Sequence, residues 1–435
     1  MHFCSLLTTT ALSYCRAYWN ASEPDLKGKY KILTKRHDDK LPPFIQMLEG
    51  KRICRIATVP FFIVAHLKRQ LEFLRDIGME VIIVSSDGPE RKKLKLDEKL
   101  QYRSIEIPRN INLLRDVTAL IRLLLFFRQQ HFDIIHSTTP KAGLLAAVAG
   151  NLAGVPIRLH TWTGQQWVGF RGIKRLVSRM ADRMIGFLDT RCYADSRSQM
   201  RFLVKEGIIK KKKISVIGEN SLSGVDLERF DPAKWSSEIK TSIRERLSIS
   251  PKSKVILFVG RIAKDKGIFE LVTAFEGLLN LGYDAVLLLV GPFDQERGGV
   301  ATISGADIEG NPRVRLIGYS EKPEQYLAVA DIFCLPSYRE GFGTVVIEAA
   351  AMGIPAVGTR IDGIVDAIVD GETGLLVPPQ NETALMDALK LLIDNSELRS
   401  AMGRNARQRC LQHFNMESIN RALADEYARL LTNNK

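Results

Sequence analysis

The sequence lacks the features that identify several common classes of protein. Its six cysteines, at positions 4, 15, 54, 192, 334 and 410, form no CxxC pair and have no metal-ligand spacing with histidine. Reduced structural cysteines in a cytosolic protein are therefore predicted, with no disulfide framework and no zinc site. No HExxH, no Asp-x-Asp pair after a strand and no Gly-rich loop ending in Gly-Lys-Ser/Thr occurs, so neither a metal centre nor a P-loop is expected.

Membrane-spanning and secretory segments are also missing from the sequence. No apolar run reaches the roughly 18 residues that a membrane-spanning helix needs. The start of the chain is mildly apolar, but it lacks the basic residues and the three-part layout of a secretory signal. We therefore expect a cytoplasmic protein whose contact with a membrane, if it has one, is peripheral.

Length and charge indicate two domains with different surroundings. A chain of 435 residues is too long for one ordinary core and fits two domains of about 150–200 residues each. Residues 1–250 carry a net charge of +18, whereas residues 251–435 carry −5. Only the first half is then expected to meet an anionic surface, and nucleic acid, anionic lipid and a phosphorylated acceptor all satisfy the charge.

From residue 51 the chain alternates short apolar strands with amphipathic helices, the pattern of parallel sheets covered by helices. Residues 1–50 are predicted to be a loosely ordered extension, and 51–232 to form a first Rossmann-like domain. A polar, irregular connection follows, and the alternation restarts in a second Rossmann-like domain, 253–415. The predicted fold class is therefore α/β, with two parallel sheets facing each other across a cleft that holds the ligand.

The segment Tyr338–Glu348 contains the most informative motif of the chain. Two carboxylates, Glu340 and Glu348, flank a Gly-Phe-Gly turn where an apolar strand gives way to a helix. A helix N-terminus behind a glycine turn presents free N–H groups and suits a phosphate. A diphosphate held between two carboxylates that bind hydroxyls is the arrangement expected for a nucleotide sugar.

A second strand-to-helix segment, Val259–Gly267, supplies cations to the same sheet edge. Arg261 and Lys266 are predicted to neutralise the charge that develops on a leaving diphosphate without a metal ion. If this segment stood alone, the simpler interpretation would be that Arg261 and Lys266 are two solvated charges on a loop. Both segments follow strands of one sheet, however, and this favours the binding interpretation.

Histidines and tryptophans mark the first domain. His160 ends a predicted strand before a Trp-rich, Gly-bearing loop, so it is a candidate for the cleft, and His136 is a weaker one of the same kind. Trp162 and Trp167 precede a basic amphipathic stretch, 171–179, that includes Arg171, Lys174 and Arg175. This combination is typical of a segment lying on an anionic membrane, and equally of a helix with a solvated basic face. These five residues are therefore predicted to contact the acceptor or the membrane.

Taken together, these motifs resemble the retaining glycosyltransferases of family 4. The resemblance rests on the Glu-x7-Glu segment, the Gly-Arg-x4-Lys-Gly segment and the runs Gly353–Gly358 and Asp370–Val377, and it covers roughly residues 51–430. Thr58–Gln70 and Ser137–Leu145 are similar to enzymes that build bacterial surface polysaccharides, such as capsule or lipopolysaccharide, on a polyprenyl-diphosphate lipid. The resemblance implies the two-domain GT-B architecture, with residues 416–435 forming a helix that crosses back to the first domain.

The resemblance also implies a role for each matching position. Arg261 and Lys266 would bind the donor diphosphate, Glu340 the hydroxyls of the donor sugar, and Glu348 the ribose. His160 would lie near the reacting sugar. The remaining positions implied at the donor site are backbone contributors: Gly260, Gly341, Phe342, Gly343 and Thr344.

The implied reaction is transfer of a hexosyl or N-acetylhexosaminyl group, with retention, from a nucleotide sugar to a lipid-linked saccharide. UDP-sugar is the expected donor, with no further cofactor and no metal. The enzyme would work on the inner face of the cytoplasmic membrane, whose anionic surface is an expected partner, and would not bind nucleic acid. One departure is Pro60-Phe61-Phe62, where many relatives have a Gly-Gly loop. The expected contacts of the first domain with the diphosphate are therefore open.

Two other functions fit the same architecture. A nucleotide-sugar 2-epimerase also uses two Rossmann-like domains, but it would need acid and base groups in the cleft and no lipid-facing basic half. A non-catalytic assembly protein would tolerate the loss of Glu340 and Arg261.

Overall fold

The computed structural model describes residues 43–218, 221–293 and 310–433, and it contains two parallel sheets. The first sheet has seven strands in the order β3-β2-β1-β4-β5-β6-β7. These strands are β1 Arg52–Ile56, β2 Glu80–Ser85, β3 Leu100–Ser104, β4 Ile134–Thr138, β5 Ile157–Trp162, β6 Arg191–Ala194 and β7 Ile214–Ser215. The order reverses between β1 and β4, so a crevice opens beyond the carboxyl ends of these two strands.

The second sheet repeats the same arrangement with six strands, in the order β10-β9-β8-β11-β12-β13. Its strands are β8 Lys254–Val259, β9 Ala285–Val290, β10 Val314–Gly318, β11 Ile332–Leu335, β12 Ala356–Thr359 and β13 Gly374–Val377. The reversal here lies between β8 and β11, the two strands that precede the motifs singled out in the sequence. The prediction of two Rossmann-like domains is confirmed.

Helices cover both sheets, as the buried character of the central strands requires. All six residues of β9 are buried, and so are all five of β4. The helices are α1 Pro43–Gln46, α2 Lys68–Asp76, α3 Leu113–Gln130, α4 Pro140–Leu152, α5 Gly172–Leu188, α6 Arg197–Lys205, α7 Ser237–Arg246, α8 Ile268–Asn280, α9 Glu324–Leu327, α10 Thr344–Ala351, α11 Ile364–Ala367, α12 Glu382–Asp394, α13 Ser396–His413 and α14 Met416–Asn433. A π-helical turn, Ile63–Leu67, joins a short helical turn at Pro60–Phe62 to α2.

Two elements lie in segments for which the sequence analysis predicted neither a strand nor a helix. Strand β3 is one of them, and its residues are mostly exposed because it is the edge strand of the sheet. Helix α7 lies inside the predicted connection, where the Ser236 hydroxyl accepts a hydrogen bond from the N–H of Ile239 and caps it. Both were missed because neither segment has a strong apolar period.

The folded body begins earlier than residue 51. Helix α1 precedes that point, and Ile45 and Leu48 are completely buried. The predicted loose extension is therefore wrong for its last residues, since these two side chains belong to the core. The rest of the extension, residues 1–42, lies outside the described residues.

The last helix, α14, packs on the first domain, where it contacts α1 and α2. Its Tyr427 hydroxyl accepts a hydrogen bond from Arg55 Nη1 at 3.1 Å and lies 2.6 Å from His136 Nδ1. Where the chain enters this helix, it bonds to the connection that runs from the first domain to the second. The N–H of Val225 donates to the carbonyl of Phe414, and the N–H of Met416 donates to the carbonyl of Val225. The two crossings between the domains are thus bonded to each other.

Candidate functional site

Lys266 lies on a turn that the sequence holds tightly against the neighbouring strand. The turn, Lys264–Lys266, follows β8 and ends at Gly267, whose φ of +69° begins helix α8. A Cβ at Gly267 would overlap the carbonyl of Pro336, at the end of β11. Only glycine satisfies both conditions, and this close approach brings the two motifs together.

Lys266 Nζ contacts the carboxylate of Glu340 directly. The same Glu340 oxygen accepts a hydrogen bond of 2.8 Å from the Ser337 hydroxyl. The Lys266 and Glu340 side chains are 17% and 15% exposed, so the pair lies at the edge of the protein interior, where its charges interact strongly and can still meet a ligand. The structure therefore brings together two residues that the sequence placed 74 positions apart.

Arg261 lies between β8 and this turn, 3.6 Å from the carboxylate of Asp265. Asp265 also pairs with Arg339 at 2.8 Å, and its carbonyl accepts the N–H of Tyr338. Gly260 directly follows β8, the strand that leads into this turn. These bonds join the loop after β8 to the loop after β11, so the two predicted donor segments form one surface.

The Gly-Phe-Gly turn combines a core side chain with two backbone positions. Phe342 is 1% exposed, and its ring lies 5.3 Å from that of Phe414 in the core of the second domain. Gly343 has a φ of +84° and begins helix α10 at Thr344. Only the backbone of Phe342 can therefore contribute to a ligand site, as the resemblance implied.

Glu348 lies half-buried on α10, four residues after Thr344. Burial raises the pKa of its carboxyl to about 7, while the charge of Arg229 opposes this rise. Arg229 comes from the interdomain connection and donates to Glu324 on α9 at 2.7 Å. The sequence analysis missed Arg229, since it belongs to no motif. Its positive charge nevertheless lowers the pKa of Glu348.

The first domain touches this surface through the loop after β5. A Cβ at Gly341 would lie 2.6 Å from the carbonyl of Thr163, and a Cβ at Gly164 would lie 3.4 Å from the N–H nitrogen of Gly341. Next to this contact, the N–H of Ser198 donates to Asp366 at 2.8 Å, and the Ser198 hydroxyl accepts the N–H of Gly363 at 2.7 Å. The two domains are thus in direct contact across the cleft beside Glu340.

The structure corrects the expectation that His160 faces the cleft. His160 is 1% exposed and points toward helix α4, where a Cβ on Gly143 would overlap its ring. Its Nδ1 lies 2.8 Å from the Ser137 hydroxyl, and burial lowers the pKa of the imidazole to about 3. The side chains of β5 alternate, so the neutral ring of His160 lies behind the strand whose following loop, Thr163–Gly164, reaches the cleft.

His136 is buried on the opposite face of the same sheet. Its Nε2 lies 2.7 Å from the Thr161 hydroxyl, and its Nδ1 meets Tyr427. Burial and the nearby charge of Arg55 hold the pKa of this imidazole well below its usual value. The contacts of His136 therefore join the first domain to α14.

The predicted contact of Trp162 and Trp167 with a membrane is wrong. These side chains are 1% and 2% exposed and belong to one apolar cluster with Ile185. Trp167 Nε1 donates to Asp182 at 2.7 Å, and burial raises the pKa of that carboxyl to about 6. A buried ring cannot enter a lipid surface. The two tryptophans instead pack against the buried side of helix α5.

Helices α3 and α5 carry a large exposed apolar surface, which we call the two-helix face. Both helices pack against α4, an Ala- and Gly-rich helix that lies between them. Leu114 on α3 is 84% exposed, and Phe187 on α5 is 81% exposed. The exposed apolar side chains of the face are Leu113, Leu114, Val117, Ile121 and Leu125 on α3, and Ile173, Leu176, Val177, Met180, Met184 and Phe187 on α5. Within the described part of the chain, no helix is both long and apolar enough to cross a membrane.

Basic residues are mixed into the two-helix face, and exposed acids are not. Its exposed cations are Arg115, Arg122 and Arg128 on α3, and Lys174, Arg175 and Arg183 on α5, with Arg171 directly before α5. The acids of the two helices, Asp116 and Asp182, are turned away, since Asp116 pairs with Lys141 at 2.7 Å and Asp182 is buried. The sequence analysis singled out the basic stretch on α5 but named none of the apolar residues of α3.

The site on the second domain can bind an anion and hydroxyl groups. Lys266 and the backbone before α10 present positive charge, whereas Glu340 and Glu348 present acceptors. Among the residues that the structure describes, no cluster of three or more His, Cys, Asp or Glu side chains could hold a metal ion.

Two family models match the chain, one for each domain. The model of "Glycosyl transferase 4-like domain" matches residues 63–218, and that of "Glycosyl transferases group 1" matches residues 239–409. Together they cover the whole second sheet and all strands of the first sheet except β1.

Individual relatives extend this match over nearly the whole chain. The capsular polysaccharide biosynthesis glycosyltransferase CapM of Staphylococcus aureus is 32% identical over 87% of this chain and 97% of its own length. The UDP-Gal:alpha-D-GlcNAc-diphosphoundecaprenol alpha-1,3-galactosyltransferase of Escherichia coli is 28% identical over 75% of this chain and 82% of its own. The solved structure of Anabaena HepE with UDP and glucose superposes with a TM-score of 0.70 at 18% identity, covering 87% of this chain and 99% of that one.

Proposed function

The chain belongs to the family 4 glycosyltransferases of GT-B fold, and from this premise we propose that it moves a sugar from a nucleotide-sugar donor to a lipid-linked saccharide in surface polysaccharide biosynthesis. The observation that carries the proposal is the cluster of Lys266, Glu340 and Ser337 at the carboxyl ends of β8 and β11, closed by Thr163–Gly164 of the first domain. CapM and the E. coli galactosyltransferase, by their names, act in capsule biosynthesis and on a diphosphoundecaprenol-linked sugar.

We assign the donor to the second domain by the chemistry of each residue. Lys266, Arg261 and the backbone of Gly341–Thr344 bind the diphosphate, since cations and a helix N-terminus are its natural partners. Glu340 accepts hydrogen bonds from the sugar hydroxyls and Glu348 from the ribose. A UDP-sugar is favoured, because HepE of the same fold binds UDP and glucose.

The proposed reaction proceeds with retention and without a metal ion. The acceptor oxygen bonds to the anomeric carbon on the face from which the diphosphate leaves, and the departing oxygen takes the acceptor's proton. The products are the extended saccharide and a nucleoside diphosphate. Lys266 and Arg261 stabilise the charge that grows on the leaving group, and this electrostatic contribution is commonly the largest in such sites.

His160 receives a positioning role in this proposal. Its ring supports the end of β5 through Ser137, and this strand leads into the loop at Thr163 that meets Gly341. The neutral, buried imidazole of His160 holds the loop at Thr163–Gly164 in position. Residues after the strand, and not His160, contact the reacting sugar.

The two-helix face is the proposed contact with the anionic membrane that carries the acceptor. Apolar ridges flanked by Arg171, Lys174 and Arg175, without exposed acids, complement a bilayer interface of acyl chains and anionic headgroups. An exposed apolar surface of this extent is unusual for a protein that meets only water. The enzyme would then work peripherally at the cytoplasmic side, with the acceptor lipid held in the same membrane.

A donor screen tests the proposed reaction. UDP-, GDP- and ADP-sugars are incubated with and without a polyprenyl-diphosphate saccharide, and release of nucleoside diphosphate is measured. We expect release to rise strongly with the acceptor and to be unaffected by EDTA. A nucleotide sugar epimerised without any acceptor would instead establish a 2-epimerase, and no turnover of any donor would favour an assembly protein.

Vesicle flotation tests the membrane part separately. We expect binding to vesicles containing phosphatidylglycerol and little binding to pure phosphatidylcholine, with a decline as salt rises. Replacing Leu114, Ile173 and Phe187 by serine should abolish flotation. The matched control replaces Leu281 and Leu391, exposed leucines of the second domain, and should float like the wild type. Equal loss in both variants would argue against the two-helix face.

A further inference from the structure

A buried carboxylate of the first domain, Asp195, was not among the candidate residues of the sequence analysis. Asp195 directly follows β6, and strand register pairs Trp162 of β5 with Ala194 of β6. Both strands therefore leave the sheet at the same edge, the one that reaches Gly341 through Thr163 and Gly164. Asp195 thus belongs to the wall of the cleft that faces Glu340.

The backbone of Asp195 is firmly fixed at this edge. Its N–H donates to the carbonyl of Trp162 at 3.1 Å and to the Gln199 side chain at 2.8 Å, while its carbonyl accepts the N–H of Ser221 at 2.7 Å. Three residues further along the chain, Ser198 bonds to the second domain. The position of the carboxyl is therefore set by the sheet, by the start of α6 and by the contact between the domains.

The carboxyl itself is only partly satisfied. Asp195 is 7% exposed, and its Oδ1 has no hydrogen-bond partner among the described residues. Gln165, in the loop after β5, is also 7% exposed, and its side-chain N–H group likewise has none there. Buried polar atoms of this kind are rare, and each is costly to leave unpaired.

Glu340 acts on Asp195 across the cleft. Burial raises the pKa of the Asp195 carboxyl to about 7, and the negative charge of Glu340 raises it further, whereas a backbone hydrogen bond from Leu222 lowers it. No cation of the first domain is bonded to Asp195 in the described structure. Two carboxylates that repel each other across a cleft favour a polar, neutral ligand between them.

We propose that Asp195 and Gln165 form a hydroxyl-binding site on the first-domain wall, opposite Glu340. A carboxylate oxygen accepts and an amide N–H donates, so together they satisfy both capacities of one alcohol group. This inference rests on the proposed function, because it takes the ligand to be a hydroxyl of a bound saccharide. That hydroxyl belongs either to the transferred sugar or to the acceptor, and the chemistry of recognition is the same.

Steady-state kinetics of Asp195→Asn distinguish the two sources. If the acceptor supplies the hydroxyl, KM for the acceptor rises about tenfold or more, whereas acceptor-independent hydrolysis of the donor and binding of UDP stay near wild type. If the transferred sugar supplies it, transfer and hydrolysis both fall about tenfold and UDP binding is still unchanged.

Asp189→Asn is the matched control. Asp189 lies before the other end of β6, is also buried, and also has an oxygen without a partner in the described part of the chain. Changes in stability alone, with kinetics within twofold of wild type in both variants, would overturn the proposal and leave the proposed function standing. Absence of donor turnover by the wild type would instead defeat the proposed function itself.

A second variant guards against failure of Asp195→Asn to fold. Gln165→Met removes the amide while keeping a similar side-chain length. We expect it to change the same kinetic quantity as Asp195→Asn, either KM for the acceptor or the rates of transfer and hydrolysis. If Gln165→Met folds and behaves as wild type while Asp195→Asn is unfolded, the hydroxyl site is refuted and Asp195 is structural.

Discussion

The two domains repeat one topology but build their sides of the cleft differently. In the second domain the chemistry lies in two short segments, 260–267 and 337–348, each a strand end followed by a helix. In the first domain the facing residues come from separate elements: Thr163–Gly164 from the loop after β5, Asp195 from the end of β6 and Ser198 from the first turn of α6. The proposed donor side is thus encoded locally, whereas the opposite wall exists only once the sheet has assembled.

The two domains also differ in where they place their charged side chains. The second domain places its charged pair, Lys266 and Glu340, at the cleft edge. The first domain has three buried carboxyls outside the sequence motifs, whose pKa burial raises to about 6 in Asp182, about 8 in Asp189 and about 7 in Asp195. In the second domain burial also raises the pKa of Glu348, but that residue lies in the motif. Motif matching therefore finds the donor half, and only the three-dimensional structure reveals the polar groups of the other half.

The largest effect should come from the donor side. Lys266→Ala and Glu340→Ala should each lower kcat by about 10²–10³-fold, since each removes a group that acts on the leaving diphosphate or the sugar. Lys264→Ala, an exposed lysine on the same turn, is the control and should be nearly silent. Nucleotide release under saturating donor measures all three, and near-normal rates in Lys266→Ala and Glu340→Ala would contradict the assignment.

A steric change at the domain contact should come next. In Gly341→Ala the new methyl group would lie 2.6 Å from the Thr163 carbonyl and force the two walls apart. We expect transfer to fall up to about 100-fold, because misplacement of about 1 Å has effects of this size. Gly169→Ala, where a methyl group meets nothing within 4 Å, controls for loss of glycine. Equal activity of the two variants would show that the walls need not meet.

Stability should respond to the buried contact of the last helix. Tyr427→Phe leaves Arg55 and His136 without the hydroxyl that both contact, so the free energy of unfolding should fall by about 1–3 kcal/mol. Urea unfolding measures the change. Tyr283→Phe loses only a surface bond to Asp394 and should change stability by less than about 0.5 kcal/mol. A neutral Tyr427→Phe would mean that α14 is held by apolar packing alone.

The smallest effect is expected from Ser198→Ala. The hydroxyl contacts Asp366 and accepts the N–H of Gly363, but the backbone N–H of residue 198 keeps its own bond to Asp366. The closed arrangement should weaken only partly, and kcat/KM should fall a few-fold with stability unchanged. A loss as large as that of Gly341→Ala would identify this contact as the main clasp between the domains.

Much of the fold followed from the sequence because apolar strands and amphipathic helices carry strong periods. The edge strand β3 and helix α7 did not follow, since their residues are mostly exposed. His160 was predicted to end its strand, but β5 continues to Trp162. Strand alternation turns the His160 side chain toward Gly143, and nothing in the sequence says which face of a sheet borders the cleft. Trp162 and Trp167 show the same gap, because aromatic residues beside basic ones fit a buried anchor as well as an interface.

The contact between Tyr427 and Arg55 joins positions 372 residues apart. During synthesis the strand β1 and the histidine of β4 emerge long before the helix that covers them, so the first domain must wait for the end of the chain to complete its core. The part of the first domain that α14 covers therefore stays open to chaperones and to aggregation throughout that interval. A chain cut before Tyr427 would therefore fail first in the domain that was translated first.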